Sequence, residues 1–259
     1  YLHGRLLKAI EAALPKLGKT TATVTIGDLA LIDEFHIGGR QATENLLSQL
    51  NFSEKEHLLD VGCGLGGAAR YTSNKYNNRV TGIDLTAEYI ETGNVLSKWL
   101  NLDNNVSLHQ GSALSMPFQD KSFDGVFMLH VGMNIEEKAQ LFKEIYRVLK
   151  PSSSLGIYDV MRNNEGELIY PVPWATNKKT SYLATPSQYK QALEKAGFEV
   201  TIETNRRDFA LDFFKVLREK TKTSGGPPPL GLHTLMQEST AEKLKNMIHN
   251  IAQGYIAPV

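Results

Sequence analysis

The stretch Leu58-Leu59-Asp60-Val61-Gly62-Cys63-Gly64-Leu65-Gly66-Gly67 most constrains what this chain can become. A short apolar run passes directly into clustered glycines, and a helical pattern follows over Ala68–Lys75. The apolar run reads as a strand, and glycines let the main chain turn tightly and let a ligand approach it. A strand, a glycine turn and a helix in that order open a parallel sheet covered by helices, so further alternation is expected downstream.

The alternation is present. Strands are expected at His57–Val61, Arg79–Ile83, Val106–His109, Phe123–Leu129 and Leu155–Val160. Helices are expected at Glu88–Trp99 and at Lys138–Leu149, where Leu141, Phe142, Ile145 and Leu149 share a side. Upstream, residues 1–18 read as an amphipathic helix through Leu7, Ile10, Leu14 and Leu17, interrupted at Pro15. Gly38-Gly39 marks a loop, and Thr43, Leu46, Leu47 and Leu50 mark a helix from about Arg40.

Downstream, residues 161–185 break the rhythm with Pro171, Pro173 and Trp174 and read as an inserted loop. Thr185-Pro186-Ser187-Gln188 is a helix start with a capping box, and Gly197 ends that helix. A strand at Phe198–Thr204, helices at 207–220 and 239–252, and a closing strand at Tyr255–Val259 complete the pattern. It predicts an α/β fold: a Rossmann-like, mostly parallel seven-stranded sheet with helices on both faces, an N-terminal helical extension and a lid-like insertion. One domain is expected over 1–259. It divides into a helical cap (1–50), a ligand-binding core (51–160), substrate-side loops (161–185 and 223–238) and a C-terminal part of the sheet (186–259).

Composition removes several classes of partner. Lys plus Arg and Asp plus Glu both number 28, so there is no basic field to gather nucleic acid. Arg206-Arg207 is the nearest approach to a basic cluster and reads as a solvated face. The single cysteine, Cys63, makes neither an internal disulfide nor a cysteine zinc site, which suits a reducing, cytoplasmic setting. No stretch has the length of a membrane span, and no secretory signal opens the chain. His36, His57, His109, His130, His233 and His249 lack an i, i+4 pairing or a local acid partner, so no metal is expected. A monomer or homodimer acting on a small molecule is expected.

The glycine turn raises the question of its guest. Gly62, Gly64 and Gly67 satisfy the G-x-G-x-x-G spacing of NAD and FAD sites. Asp60, two residues before the first glycine, argues against them. A dinucleotide places its diphosphate at this turn. A carboxylate ~4 Å away would oppose it by about 4 kcal/mol at an effective dielectric near 20. S-adenosylmethionine (SAM) has no phosphate and carries an ammonium and a sulfonium, which a carboxylate attracts. Asp84, twenty residues past Gly64, ends the second strand and suits both ribose hydroxyls. Its alternative role is a cap for the helix that begins near Thr86. Gln110-Gly111-Ser112-Ala113 follows the third strand, where a group meets the adenine edge or the chain simply turns.

At these residues the chain resembles the class I SAM-dependent methyltransferases, over about 33–205. The carriers are Asp60 through Gly66, Asp84, Ser112-Ala113 before Met116-Pro117-Phe118, Phe123-Asp124, and Arg147-Val148-Leu149-Lys150-Pro151. Phe35-His36-Ile37-Gly38-Gly39-Arg40 looks like the small-molecule branch acting on sarcosine, dimethylglycine or phosphoethanolamine, and γ-tocopherol methyltransferases are also similar. The resemblance implies SAM as cofactor, with S-adenosylhomocysteine as product. It places the cofactor among His36, Ile37, Gly38, Asp60, Gly62, Cys63, Gly64, Asp84, Leu85, Ser112, Ala113 and Leu129. Two departures stand out. Ser112 occupies a position where the family usually has Asp for the adenine amino group, and Ser152-Ser153-Ser154 replace Gly-Gly after Pro151.

Methyl transfer is an in-line displacement at an already activated carbon, so alignment is the main demand on the protein. A neutral amine needs no base, whereas a protonated amine, phenol or carbon acid does. His130, ending the fourth strand, is the candidate to orient or deprotonate the acceptor, with a packed histidine as its alternative. Asn134 is a candidate hydrogen-bonding partner or a helix cap. Tyr158 and Asp159 end the fifth strand and face either the cleft or the core. Trp174 and Tyr170 are candidates to shield a cationic amine, against ordinary loop packing. His233 belongs to a lid segment or to the surface. The substrate contacts expected are Tyr158, Trp174 and His233.

The acceptor expected is an amine of glycine, sarcosine or ethanolamine type. A lipophilic quinone or tocopherol-like ring is the alternative, and an NAD-dependent oxidoreductase the alternative of another class. An apolar cleft with a membrane-facing helix favours the lipophilic acceptor; acidic and aromatic walls favour the amine.

Overall fold

The structure is a computed structural model, and it describes residues 5–259. In chain order the strands are β1 (His57–Val61), β2 (Arg79–Asp84), β3 (Val106–Gln110), β4 (Phe123–Leu129), β5 (Leu149–Tyr158), β6 (Val160–Arg162) and β7 (Ile256–Pro258). The helices are α1 (Leu6–Ala13), α2 (Ile26–Asp33), α3 (Gly39–Leu47), α4 (Gly67–Tyr76), α5 (Ala87–Trp99), α6 (Lys138–Val148), α7 (Pro186–Ala196), α8 (Arg207–Thr223), α9 (Leu232–Met236) and α10 (Thr240–Ala252).

The first five strands form one parallel sheet in the order β3-β2-β1-β4-β5. Side chains alternate across it, as the pleat requires. Leu59, Val61, Val126 and Met128 pack on Leu141, Phe142, Ile145 and Tyr189 of α6 and α7. Leu58, Val80, Leu108 and Phe127 pack on Ala42, Leu47, Ala68 and Ala69 of α3 and α4. Both faces are covered, which explains why β1 and β4 read as apolar runs rather than as alternating ones.

The sheet stops at five strands, which corrects the expectation of seven. β6 and β7 form a separate antiparallel pair. The strand expected at Phe198–Thr204 does not form: Ile202 is 65% exposed, and residues 203–205 are exposed with it. Its alternation has no apolar surface to bury against, and without that burial the pattern does not hold a strand. β5 in turn begins earlier than expected, taking in the serines 152–154.

Helices from both ends of the chain cap the carboxyl edge of the sheet. Leu6, Ile10, Leu29 and Ile32 of α1 and α2 share a core with Leu65, Tyr89, Leu230 and Leu235. Ala210, Phe214, Met247 and Ile251 of α8 and α10 share another with Ile37, Met133 and Val172. The 161–185 segment belongs to that second core, with Val172 and Ala175 buried. The first helix is α1, followed by a 3-10 turn at Leu14–Leu17 that contains Pro15. Residues 1–4 of the expected helix lie outside the described residues. Among the described residues no helix is long and apolar enough to cross a membrane.

A buried ion pair ties the cap to the sheet. Arg70 on α4 donates to Asp33 Oδ2 at 2.6 Å, to Gly93 O at 3.0 Å and to Ser97 Oγ at 3.2 Å. Both partners are essentially free of solvent. Burial pushes the Asp33 carboxyl up to about 6, against the pull of Arg70.

The capping box read at the start of α7 is present. Gln188 N donates to Thr185 Oγ1 at 3.2 Å, and Thr185 N donates to Gln188 Oε1 at 2.8 Å. Thr185→Ala is expected to cost about 1 kcal/mol. In urea denaturation this is a lower midpoint at unchanged slope; an unchanged midpoint would count against the cap.

Candidate active site

Parallel register brings the chemistry-bearing residues to one edge. Val61 pairs with Ile83 and Met128, Asp84 with Gln110, and Leu129 with Tyr158. The turns after β1, β2, β3 and β4 therefore open side by side. The chain order reverses between β1 and β4, and that crevice is where ligands bind in such sheets.

The turn after β1 needs its glycines. Gly62 has φ +70° and a Cβ there would lie 2.3 Å from Val131 Cγ2, so the turns after β1 and β4 touch without a side chain between them. Gly64, at φ +53°, donates its N–H to Asp84 Oδ2 at 3.0 Å. Asp84 Oδ1 accepts from Thr86 N at 2.9 Å, a turn ahead of α5 and not a cap on that helix, whose N-cap Thr86 makes no side-chain cap bond. Each Asp84 oxygen keeps a further acceptor site for a ribose hydroxyl.

Asp60 is buried in the same cavity, and its Oδ2 has no hydrogen-bond partner. Burial raises its carboxyl well above the usual range, and Asp84 and Glu34 nearby raise it further. A buried carboxylate with one oxygen unpartnered, beside two other acids, is costly unless a cation arrives. The anion-binding end of α4 is already crowded: a Cβ at Gly67 would lie 2.5 Å from Asp33 Oδ1. This donor set fits a ligand with a cationic head and a ribose, and disfavours a diphosphate.

Of the candidates, Tyr158, Asp159 and Tyr170 stand outside a cavity of about 1720 Å³ that takes in the rest. His36, Ile37, Gly38, Asp60, Gly62, Cys63, Gly64, Asp84, Leu85, Ser112, Ala113 and Leu129 line it, as do His130, Asn134, Trp174 and His233. Tyr158 does not; it stacks behind His130 with ring centroids 5.2 Å apart. Asp159 is buried away from the cavity, accepting from Tyr189 Oη at 2.8 Å and Val160 N at 2.9 Å. Ser112 Oγ is engaged by Leu114 N at 3.2 Å, and Trp174 Nε1 donates to Ser181 Oγ at 3.0 Å.

His130 is held in an unusual way. It has φ +57°, the left-handed region that non-glycine residues enter at a cost, and its N–H donates to Tyr158 O at 2.7 Å. Its ring lies 5.9 Å from that of His36. Nε2 is buried without a partner, and burial, with His36 beside it, holds the imidazole well below the usual histidine range. His36 Nε2 donates to Gly39 O at 3.0 Å, which fixes its proton on that nitrogen. Two neutral imidazoles thus face one apolar chamber.

The sequence reading missed the support of this arrangement. Buried Glu34 accepts from Thr43 Oγ1 at 2.6 Å and from Arg40 Nε at 2.5 Å, and Thr43 Oγ1 lies 3.0 Å from His36 Nε2. Asp33, Glu34 and Arg70 carried no local signal beyond the charges themselves, and Arg40 stood only at the end of the segment Phe35 to Arg40 that carries the resemblance.

Fold and site together have the arrangement of the class I SAM-dependent methyltransferases. Residues 59–157 match the family model described as methyltransferase domain. The chain is 28% identical over 183 residues to the sterol 24-C-methyltransferase of Candida albicans, covering 65% of this chain and 48% of that protein. It is 27% identical over 199 residues to O-methyltransferase resE of Aspergillus sclerotiorum, covering 75% and 74%. The phosphoethanolamine N-methyltransferase 2 of Haemonchus contortus, solved with S-adenosyl-L-methionine, superposes with a TM-score of 0.72 at 20% identity, covering 96% of this chain and 58% of that one. The chain thus spans about half the length of the sterol enzyme it matches. By their names, these three proteins methylate carbon, oxygen and nitrogen respectively.

Proposed function

We propose that this protein transfers the methyl group of SAM to an apolar small molecule through an acidic N–H or O–H. The cofactor supplies an electrophilic methyl on a sulfonium. Asp60 receives its ammonium and Asp84 its ribose, with His36, Ile37, Gly38, Gly62, Cys63, Gly64, Leu85, Ser112, Ala113 and Leu129 around it. Nε2 of His130 takes the acceptor's proton as the bond from the acceptor atom to the methyl forms and the sulfonium bond breaks. Asn134, Trp174 and His233 lie on the acceptor side.

The carrying observation is the wall of that side. Met133, Trp174, Phe213, Phe214, Leu244 and Met247 line the cavity and pack as one apolar cluster. The buried acids sit at the cofactor end, while Glu136, Glu137 and Glu238 line the cavity only from exposed positions. The cavity of about 1720 Å³ takes in the cofactor end as well, and so exceeds the ~300–1000 Å³ of an ordinary single-ligand site, as two ligands require. These features support the lipophilic acceptor over the small amine.

The test is transfer of labelled methyl from SAM to a panel. Phenols and quinols bearing an apolar tail are expected to be methylated at least tenfold more efficiently than sarcosine or phosphoethanolamine, since each buried methylene adds ~0.8 kcal/mol. Efficient labelling of the small amines alone would reverse the choice of acceptor. Labelling of nothing would favour a cofactor-binding protein without catalysis.

A further inference from the structure

We infer that the mouth of this cavity docks on an anionic lipid bilayer, so that the acceptor enters from the membrane surface. The idea builds on the apolar-acceptor reading and adds a partner to it. Leu31, Val216 and Leu217 all line the cavity, yet are 46%, 53% and 39% exposed. A side chain that does both stands at the mouth. Pro227 and Pro228, also exposed, continue the rim. Apolar side chains grouped around an opening, rather than scattered, mark a surface that meets another phase.

α8 supplies the matching charge. Phe213, Val216, Leu217, Lys220 and Thr221 recur at helical spacing and face the cavity. Lys215, Arg218 and Lys222 form the adjacent stripe, all exposed. Among these cations the one acid is Glu219, and it pairs with Lys222 at 3.1 Å. Asp212 on the same helix, and Glu136, Glu137 and Glu238 elsewhere around the opening, are the opposing charges. An apolar rim flanked by Lys and Arg is the arrangement of a helix lying in the interface of an anionic membrane. It also makes the opening continuous with the apolar wall of Trp174, Phe213 and Met247.

The test is co-sedimentation of the full chain with phosphatidylcholine vesicles, with and without phosphatidylserine, and with no acceptor present. Binding is expected with phosphatidylserine, weakening as salt rises. K215E/R218E is expected to lower that binding roughly thirtyfold or more, at about a tenfold change for each 1.4 kcal/mol and ~1 kcal/mol per cation. V216N/L217N is expected to lower it further. Lys215 and Arg218 lie outside the cavity, so K215E/R218E keeps wild-type SAM affinity and wild-type transfer to a short-tailed, water-soluble phenol.

Absence of vesicle binding, or binding that neither variant changes, overturns the proposal. So does a dimer in solution that buries Val216 and Leu217. Vesicle binding that persists while transfer to apolar acceptors fails would leave docking intact and remove the acceptor reading alone.

Discussion

His130→Ala is expected to lower kcat for methyl transfer by about 10²–10⁴-fold, the usual contribution of a positioned acid–base group, while SAM affinity stays within a fewfold of wild type. Three features of the residue support this. Its Nε2 is buried with no partner, an omission that a merely structural histidine does not need. Its backbone sits at φ +57°, and its ring is fixed by Tyr158 at 5.2 Å and His36 at 5.9 Å. Its pKa is depressed well below 6.5, by burial first and by His36 second. The unprotonated form is the base. Activity should therefore be present at pH 6.5 and above, and be lost as pH falls through a value well under 6.5. His130→Gln tests the geometry while removing the titration. A variant retaining wild-type kcat, or an acid limb centred above 6.5 that the variant leaves in place, would show that the ring only packs.

Asp60→Asn is expected to weaken SAM binding roughly 10- to 100-fold, in line with the ~1.5–3 kcal/mol of a hydrogen bond to a charged group. The same variant is expected to raise the melting temperature of the cofactor-free protein by several degrees, because the buried Asp60 carboxyl must take up a proton on folding at neutral pH and an amide need not. Opposite signs in affinity and stability separate a binding residue from a structural one. The pH dependence follows from the raised pKa of Asp60. A proton held in the free protein must leave when a cation arrives, so affinity should fall as pH falls in the wild type and stay flatter in the variant. Calorimetric titration with SAM over pH reads both. Affinity unchanged in Asp60→Asn would remove the electrostatic case, leaving cofactor choice to family likeness.

The strands and helices of the core were legible because they carry strong local patterns. β1 and β4 are apolar runs, α6 has an apolar stripe, and α7 begins with a capping box. α2 was missed although its own box is written in Thr25 and Asp28, where Asp28 N donates to Thr25 Oγ1 at 3.2 Å. That helix carries apolar residues on several sides, Leu29 and Ile32 in the core shared with α1 and α9 and Leu31 exposed, so it lacks the stripe that periodicity detects. The expected strand at Phe198–Thr204 shows the converse. A period of two in the sequence does not ensure that one face has something to cover it.

The sequence by itself determined the unit that takes the cofactor. A strand, a glycine turn, a helix and two acids at fixed spacing are contiguous chemistry, so their geometry follows from local bonding and parallel register. The tertiary structure alone assembled the wall to which the acceptor is assigned in our proposal. That wall is built from residues as far apart as Ile37, Trp174, Phe213 and Met247, and only packing of the chain's two ends over the sheet makes them neighbours. The state of His130 was also settled there, because an imidazole's proton affinity depends on which groups exclude water from it.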